Sequence, residues 1–429
     1  MSMTQNERIG QVTEQTIVIG VDIASEIHHA RAFDWRGIEL GKIIRFENSA
    51  EGFAELMAWI AAISARERKE HTIIGAEPTG HYWFTLAEHL RNSEVKLVLV
   101  NPHHVKKSKE MDDNHPSKND VKDPKTIAKL VLEGRWCEPY IPQGVYAELR
   151  IAMNIRWRIL REMTMAKNQV QRWLKIYFPE HKKVFGSFEC VSSIAVMREA
   201  PLPCDIIALG VEGVNTVWRR KKLRAVGKKR AEMLYAAANS SVGCTDGMVA
   251  ARIEHRLLLD DYETKLRQHE EIMSVVETLC EQLPEVEELL KIKGIGLVTV
   301  AGFLAETGDM RRFDSPRQIQ KLAGLAITEN KSGKRKGQSG ISRRGRSRLR
   351  TVLFQAAISL VGKYGSSEFR ELHHYYTTRE KNPLKKKQSI IAVSCKLIRV
   401  FHALTIKKCA YDPVKMLADI HRNKQHKAA

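Results

Sequence analysis

The chain has 429 residues, 43% of them hydrophobic, which is enough for two or more domains with cores of their own. Its 70 Lys and Arg residues against 50 Asp and Glu give a formal net charge of +20, which favours a polyanionic partner. We expect nucleic acid and no membrane, because Lys396 and Arg399 interrupt the apolar stretch near the C-terminus. The N-terminus lacks a signal-peptide core, and the seven scattered cysteines form no CxxC pair, which excludes a zinc ribbon and a disulfide framework. A cytoplasmic protein with reduced cysteines is expected.

The first part of the chain predicts an α/β domain, which we bound at residues 14–145. Short runs rich in β-branched residues predict strands at TIVIGVDIA, IHHARAFDW, ELGKIIRF, HTIIGAEP and KLVLVNP. Apolar residues at helical spacing predict helices from about Ala50 to Ala65, from about Tyr82 to Arg91 and over DPKTIAKLVLEG. Strands in succession, followed by strands alternating with helices, indicate a mixed sheet with helices packed on it.

The middle of the chain, residues 146–288, predicts long helices. A seam of mainly apolar residues at steps of three and four runs from Leu259 to Leu283, with His269 as a polar interruption. Two interpretations fit this seam equally well: a helical hairpin within one chain, or a coiled coil that joins two chains.

A third, helical domain is predicted at residues 289–412, with a polar tail at 413–429. Lys293, Gly294 and Gly296 lie in a short segment between helical stretches, which predicts a helix-hairpin-helix whose turn amides face a phosphate. The segment LRAVGKKRAEML, residues 223–234, is a weaker instance of the same pattern. Residues 331–350 then contain nine basic residues and no acid.

Four carboxylates form the strongest pattern of the chain. Asp22 and Glu77 each end an apolar β-branched run, and Asp120 and Asp123 lie three residues apart, so that one helical turn presents both on one face. Carboxylates that converge in this way suit two divalent ions roughly 3.5–4 Å apart, which clamp the attacking and leaving oxygens of a phosphodiester. Oxygen ligands favour Mg²⁺ or Mn²⁺.

Each carboxylate also has an ordinary structural interpretation. Asp123 precedes Pro124 and is therefore a good helix N-cap, and Asp120 fits a loop. Asp22 and Glu77 are harder to explain in this way, because an unpaired charge beside a buried strand is costly. For the four residues together, the metal-site interpretation is favoured.

Ser332 stands in a basic, glycine-rich segment in which cations and amides would stabilise the charge that develops when a hydroxyl attacks phosphate. Ser339, Ser342 and Ser347 share this environment, and the chemistry of the segment does not choose among them. The basic residues around these serines are predicted to contact phosphate as a group. They are Lys334, Arg335, Lys336, Arg343, Arg344, Arg346, Arg348 and Arg350.

In this order the motifs resemble the one-ten family of insertion-sequence transposases, including its eleven-eleven branch. The resemblance spans about residues 16 to 405. It rests on the motifs IGVDIA, GAEPTGHY, KNDVKDPKTIA, KGIGLVTVAGFLAETGDMRRFDSPRQIQKLAGLA and SGKRKGQSGISRRGRSRLR. The chain departs from the family pattern at the acidic pair, where Asn119 precedes Asp120 and Pro124 follows Asp123.

The resemblance implies an α/β plus all-α protein. Its N-terminal mixed sheet would be RuvC/RNase H-like, its middle a helical coiled coil, and its C-terminal domain a helical transposase domain with a helix-hairpin-helix. It implies a catalytic tetrad of Asp22, Glu77, Asp120 and Asp123, and a nucleophile at Ser332, which stands in the family's Ser-Gly motif; the second Ser-Gly, at Ser339, is its competitor. It also implies donor and target DNA as substrates, a structured guide RNA from the element's own end, and a homo-oligomer, a dimer or tetramer, at the nucleoid of a prokaryotic cell.

Two other functions fit the same residues. A metal-dependent nuclease resembling a Holliday-junction resolvase would use the four carboxylates and need no serine. A non-catalytic binding protein would grip nucleic acid with the helix-hairpin-helix and the basic run, and its acids would be structural.

Overall fold

A computed structural model describes the chain at residues 3–112, 123–328, 331–332, 335–336, 340–418 and 420. The chain divides into two compact units, Met1–Ile141 and Pro142–Ala429. Asp120, Lys334 and Ser339, which the sequence analysis singled out, lie outside the described residues.

The first unit is built on a six-stranded mixed sheet with the strand order β3-β2-β1-β4-β5-β6. Strands β1, β2 and β3 are antiparallel, β1, β4 and β5 are parallel, and β6 is antiparallel to β5. The strands are β1 (Thr16–Asp22), β2 (Ile27–Phe33), β3 (Ile44–Glu47), β4 (His71–Ala76), β5 (Lys96–Val100) and β6 (Trp136–Cys137).

Helices cover both faces of this sheet. Alternate residues of β1 point to opposite sides: Ile17 and Ile19 lie in one core with α2 and α3, and Val18 lies in another with α5. The helices of the unit are α1 (Gln5–Ile9), α2 (Ala50–Glu67), α3 (Trp83–His89), α4 (Pro102–Asp112) and α5 (Asp123–Leu132). The prediction of a mixed sheet with packed helices is confirmed. The structure also contains α1, α4 and β6, which were not predicted.

Two helices of 34 residues form the spine of the second unit. They are α6 (Gly144–Tyr177) and α11 (Met248–Glu281). They run antiparallel, since the Trp173 indole donates to the carbonyl of Ala251 near one end, and Arg156 contacts Met273 near the other.

The predicted seam on α11 packs against α6 of the same chain. Leu259, Val276 and Cys280 are buried, whereas Leu266 remains 37% exposed. The structure contains the helical hairpin within one chain. The coiled coil that joins two chains stays a prediction.

Between the two spine helices the chain forms a separate helical bundle. Its core contains the fully buried Trp173 and Trp218 together with Val214, Ala231 and Leu234. The helices of this bundle are α7 (His181–Phe185), α8 (Val191–Glu199), α9 (Pro203–Arg220) and α10 (Lys228–Asn239).

The remaining helices enclose a second large core at the other end of the spine. They are α12 (Pro284–Leu290), α13 (Leu297–Thr307), α14 (Pro316–Leu322), α15 (Ser347–Val361), α16 (Ser367–Thr378) and α17 (Lys386–Lys407). Two pairs of short strands interrupt them: β7 (Ile327–Thr328) pairs with β10 (Gly340–Ile341), and β8 (Lys331–Ser332) pairs with β9 (Arg335–Lys336). Met416, Leu417 and Ile420, from the segment predicted as a polar tail, are buried in this core.

Helix α17 is, among the described residues, the one helix long and apolar enough to cross a membrane by length and composition. Val393, Leu397 and Phe401 of this helix are fully buried against α15, α16 and their neighbours. Its apolar character is therefore explained by its place in a protein core.

Candidate active site

Two carboxylates meet at one edge of the first unit's sheet. Strands β1 and β4 are parallel neighbours in which Val21 pairs with Ala76. Asp22 ends β1, and Glu77 directly follows β4, so both leave the sheet at the carboxyl ends of adjacent strands. Both residues are half-buried.

Helix α5 brings Asp123 toward the same strands. Asp123 is its first residue and is only 7% exposed. The helix lies directly on β1 because Gly20 has no side chain: a Cβ atom there would stand 1.8 Å from the carbonyl oxygen of Pro124. Any larger residue at position 20 would push away the start of α5, and Asp123 with it.

Lys109 of α4 adds a positive charge to this edge. Its ammonium group forms an ion pair with the carboxylate of Asp123. Burial raises the pKa of Glu77; the positive charge of Lys109 counteracts this shift, and the negative charge of Asp123 adds to it. Glu77, Asp123 and Lys109 therefore form one interacting group of charges.

Within the described part of the chain, no group of three or more His, Cys, Asp and Glu side chains is close enough together to hold a metal ion. The converging carboxylates repel one another, and Lys109 already supplies a positive charge to Asp123. The donor set nevertheless fits a hard divalent cation, because it offers carboxylate oxygens at a half-buried edge where Glu77 lacks full solvation.

Ser332 lies in the second unit, on β8, where it pairs with Arg335 of β9. The basic, glycine-rich segment around Ser332 thus contains short paired strands. The outer pair, β7 with β10, is extended by a hydrogen bond from the Ser342 amide to the carbonyl oxygen of Ala326.

The predicted phosphate-binding arginines divide into two groups. Arg343 and Arg344 are exposed, and neither has an ion pair among the described residues. Arg346 forms an ion pair with Glu306, and Arg350 donates to the carbonyl of Ala323 at 2.9 Å, so these two also brace the fold. Arg348, which is exposed, donates to the side chain of Asn154.

The predicted helix-hairpin-helix corresponds to α12, a short turn and α13. Gly294 has φ +94°, a conformation that favours glycine, and Gly296 is the N-cap of α13. The Ser359 hydroxyl donates to the carbonyl of Gly294 and fixes the turn. Lys293, Gly294 and Gly296 are all exposed.

Comparison with known proteins identifies the family. A model of the IS110 DEDD transposase domain matches residues 19–179, and a model of the transposase IS116/IS110/IS902 family matches residues 286–374. Together the two matches cover more than half of the chain. The chain belongs to the IS110/IS116 family of transposases.

Individual relatives of this transposase agree. The 44.8 kDa protein of insertion element IS116 from Streptomyces clavuligerus is 24% identical over 301 residues, which is 69% of this chain and 73% of that protein. The transposase for insertion sequence element IS1111A of Coxiella burnetii is 23% identical over 351 residues, 80% of this chain and 78% of that protein. The y4rJ protein of Sinorhizobium fredii is 38% identical over 119 residues, 28% of this chain and 30% of that protein.

The transposase is thus an enzyme of DNA recombination, and its family implies DNA binding. Asp22, Glu77 and Asp123 lie within the first matched segment, and Ser332 lies within the second. We call the sheet edge that carries Asp22, Glu77, Asp123 and Lys109 the acidic edge. Lys109 is the residue of this edge that the sequence did not predict. It stands in the polar run VKKSKE, where nothing distinguishes it from its neighbouring lysines.

Proposed function

We propose that this transposase cuts and rejoins DNA through a serine nucleophile, Ser332, assisted by divalent metal ions at Asp22, Glu77, Asp120 and Asp123. The observation that carries the proposal is the arrival of Asp22, Glu77 and Asp123 at one edge of the mixed sheet, from two parallel strands and one helix. The strand order β3-β2-β1-β4-β5, antiparallel and then parallel, supports a RuvC-like fold for this domain.

The acidic edge would hold Mg²⁺ or Mn²⁺ through carboxylate oxygens. A bound divalent ion supplies positive charge that polarises a phosphate and stabilises the oxygens that attack and leave. Adjacent strands hold Asp22 and Glu77 in place. No free energy is therefore needed to reorient their carboxylates during the reaction. Lys109 would have to give up part of its contact with Asp123 when such an ion enters.

The serine step replaces one phosphate ester bond by another. The Ser332 oxygen attacks phosphorus and forms a P–O ester, while one P–O bond of the DNA backbone breaks. The hydroxyl loses its proton, and the departing deoxyribose oxygen takes one up. The energy of the ester is kept, so that the reverse attack by a new strand end rejoins DNA without a nucleotide cofactor.

The basic residues of the second unit would position the phosphate backbone. We assign this role to the exposed Arg343 and Arg344 first, because their guanidinium groups have no ion pair among the described residues. The remaining members of the set are Lys334, Arg335, Lys336, Arg346, Arg348 and Arg350, together with Lys293, Gly294 and Gly296 at the α12–α13 turn. Phosphate contacts of this kind fix register and carry no sequence preference.

The choice of DNA site would then come from outside the protein. Resemblance to the family supports a structured guide RNA that pairs with donor and target DNA, and a homo-oligomer, a dimer or tetramer, at the nucleoid of a prokaryotic cell. The net charge of +20 suits the binding of both nucleic acids. We propose a RuvC-like domain at 14–145, a helical region at 146–288, a serine transposase domain at 289–412 and a tail at 413–429, and the boundary between the two compact units, after Ile141, supports the first division.

A metal-dependent nuclease that resembles a Holliday-junction resolvase is the second candidate. The acidic edge favours it directly, since carboxylates alone suffice for metal-assisted cleavage. Such an enzyme would not need Ser332.

A recombination assay separates these functions. Wild type, Ser332→Ala and Asp22→Asn are each given donor DNA, target DNA, Mg²⁺ and the RNA that copurifies from cells carrying the whole element. Ser339→Ala is the matched control, since it removes the other Ser-Gly hydroxyl. The proposal expects Ser332→Ala and Asp22→Asn to abolish recombination and Ser339→Ala to retain it. A fully active Ser332→Ala protein favours the resolvase-like nuclease, and a fully active Asp22→Asn protein removes the metal site from the mechanism.

A further inference from the structure

A dense cluster of positive charge lies on the bundle between the two spine helices. Helix α9 ends at Arg220, a short turn follows, and α10 begins at Lys228. We call residues 219–230 the basic hairpin. It contains eight Lys and Arg residues, all of them exposed, and no acid occurs between residues 213 and 231.

The basic hairpin is anchored rather than loose. Trp218, directly before it, is fully buried, and its indole donates to the carbonyl of Ser192 at 2.8 Å. The guanidinium of Arg219 donates to the carbonyls of Leu223 and Val226, both at 3.1 Å, and so closes the turn. The charges are therefore displayed on a fixed surface, which lowers the entropy lost when a partner binds.

Most of these charges are not neutralised by the protein. Arg220 pairs with Glu199, and Lys228 lies 3.4 Å from Glu212. For the other six exposed cations, no ion pair is found in the described part of the chain; they are Arg219, Lys221, Lys222, Arg224, Lys229 and Arg230. Crowded like charges repel, and a polyanion relieves that repulsion.

The chemistry of the hairpin selects a duplex as its partner. Residues 219–230 include no aromatic side chain, and Trp218 is buried, so there is no platform on which unpaired bases could stack. Val226 is buried and Leu223 is half-buried, so no apolar wedge is offered to a membrane. What remains is contact with a phosphate backbone, and we commit to DNA because membership of the transposase family implies DNA binding.

We propose that the basic hairpin is a binding surface for the phosphate backbone of duplex DNA, separate from the acidic edge and from the Ser332 segment. The hairpin lies in the stretch between the two segments that match the family models, residues 19–179 and 286–374. It adds affinity that does not depend on sequence and performs no chemistry. The inference rests on charge and exposure, and holds whether or not Ser332 is the nucleophile.

The test is the affinity of the full-length protein for a random-sequence duplex of about 30 base pairs, measured by fluorescence anisotropy over a range of salt concentrations. Lys229→Gln/Arg230→Gln removes two charges that pair with no acid among the described residues and do not close the turn. The matched control is Lys42→Gln/Arg68→Gln, which removes two exposed charges from the first unit. Arg68 lies near the start of β4, the opposite end of that strand from Glu77. Circular dichroism verifies that each variant is folded.

We expect the hairpin variant to bind DNA on the order of tenfold more weakly near physiological salt, and its log–log salt slope to become shallower by about 2, since each lost phosphate contact contributes about 0.9. The control is expected to keep the wild-type slope. Unchanged affinity, or an equal loss in the control, overturns the proposal. An RNA duplex of the same sequence provides the second arm: a loss seen for RNA and not for DNA overturns the assignment to DNA.

Discussion

Lys109 shows how single residues balance the acidic edge. The negative charge of Asp123 acts on Glu77 there, and burial raises the pKa of Glu77. The ammonium group of Lys109 offsets part of that cost through its ion pair with Asp123. Lys109 therefore supplies positive charge to this edge.

Replacing Lys109 by Met tests this balance. Because Asp123 loses its partner while remaining buried, we expect local stability to fall by about 2 kcal/mol, a value below that of a fully buried pair because Lys109 is partly exposed. Hydrogen–deuterium exchange of β1 and α5 should then be roughly tenfold or more faster. Adding Mg²⁺ should slow this exchange, and the effect should be larger in Lys109→Met than in wild type.

Lys107→Met is the control for that experiment. Lys107 lies on the same helix and pairs with the exposed Glu110 at 2.8 Å, so its loss should change exchange very little. Equal exchange in the two variants, with and without Mg²⁺, would contradict the role given to Lys109.

At the level of residues, the sequence predicted the carboxylates of the acidic edge but did not predict Lys109. Asp22 and Glu77 were predicted because a charge at the end of an apolar strand is conspicuous. Lys109 was not, because its meaning depends on where α4 lies, and the polar segment PHHVKKSKEMD has too few apolar residues to predict a helix. The contacts of Arg346 and Arg350 could not be predicted from the sequence either. The ion-pair partner of Arg346, Glu306, is distant in the chain, and Arg350 donates to a main-chain carbonyl.

Among the elements, the bundle between the spine helices depends on two buried histidines. His181 is almost fully buried, shares a hydrogen bond of 2.7 Å with Ser193 and stacks on Phe185. Burial lowers the pKa of His181 to about 4, and burial likewise lowers the pKa of His255 to about 4. Both side chains must therefore remain neutral for the bundle to stay folded.

The bundle should consequently lose stability in acid. The folded-state pKa of His181 lies below its ordinary value of 6.5, so the unfolded chain binds more protons between these limits. Stability is then complete above pH 6.5 and falls as the pH decreases toward 4, by about 3 kcal/mol for this residue. Urea unfolding across this range should show the loss, and His181→Gln should reduce its slope.

His374→Gln is the control for the acid series, since this histidine is exposed and its loss should leave the slope unchanged. A slope unaffected by His181→Gln would show that another group governs acid unfolding.

Elements with strong periodicity were predictable, and elements defined by distant contacts were not. Strands β1 to β5 and helices α2, α3 and α5 follow directly from apolar patterns. The pairs β7–β10 and β8–β9 involve only two residues per strand in a glycine-rich segment, where composition predicts a loop. The packing of α11 on α6 within one chain could not be predicted from the heptad seam alone, because an intermolecular coiled coil uses the same seam.

For the molecule as a whole, the proposed chemistry is divided between two compact units. Asp22 belongs to the first unit and Ser332 to the second. The proposed function assigns the metal-assisted step to the first unit and the serine step to the second.

Mixing two inactive variants tests this division. Asp22→Asn and Ser332→Ala are expected to be inactive alone and to recover a measurable fraction of recombination when they are combined before DNA is added, since each supplies the unit that the other lacks. Gel analysis of recombinant products gives the readout, and mixing Asp22→Asn with Glu77→Gln, which damages the same unit twice, is the control. Recovery in the control as well as in the test would contradict complementation between units.

The covalent intermediate is the most direct test of the account. Wild type, Ser332→Ala, Ser339→Ala and Asp22→Asn are incubated with end-labelled donor DNA, Mg²⁺ and the copurified RNA, and are then separated on denaturing gels. The serine mechanism predicts a protein–DNA adduct in wild type and in Ser339→Ala, none in Ser332→Ala, and a strongly reduced amount in Asp22→Asn. Cleaved DNA without any adduct, in equal amount with and without the Ser332 hydroxyl, would contradict it and leave the carboxylates to act alone.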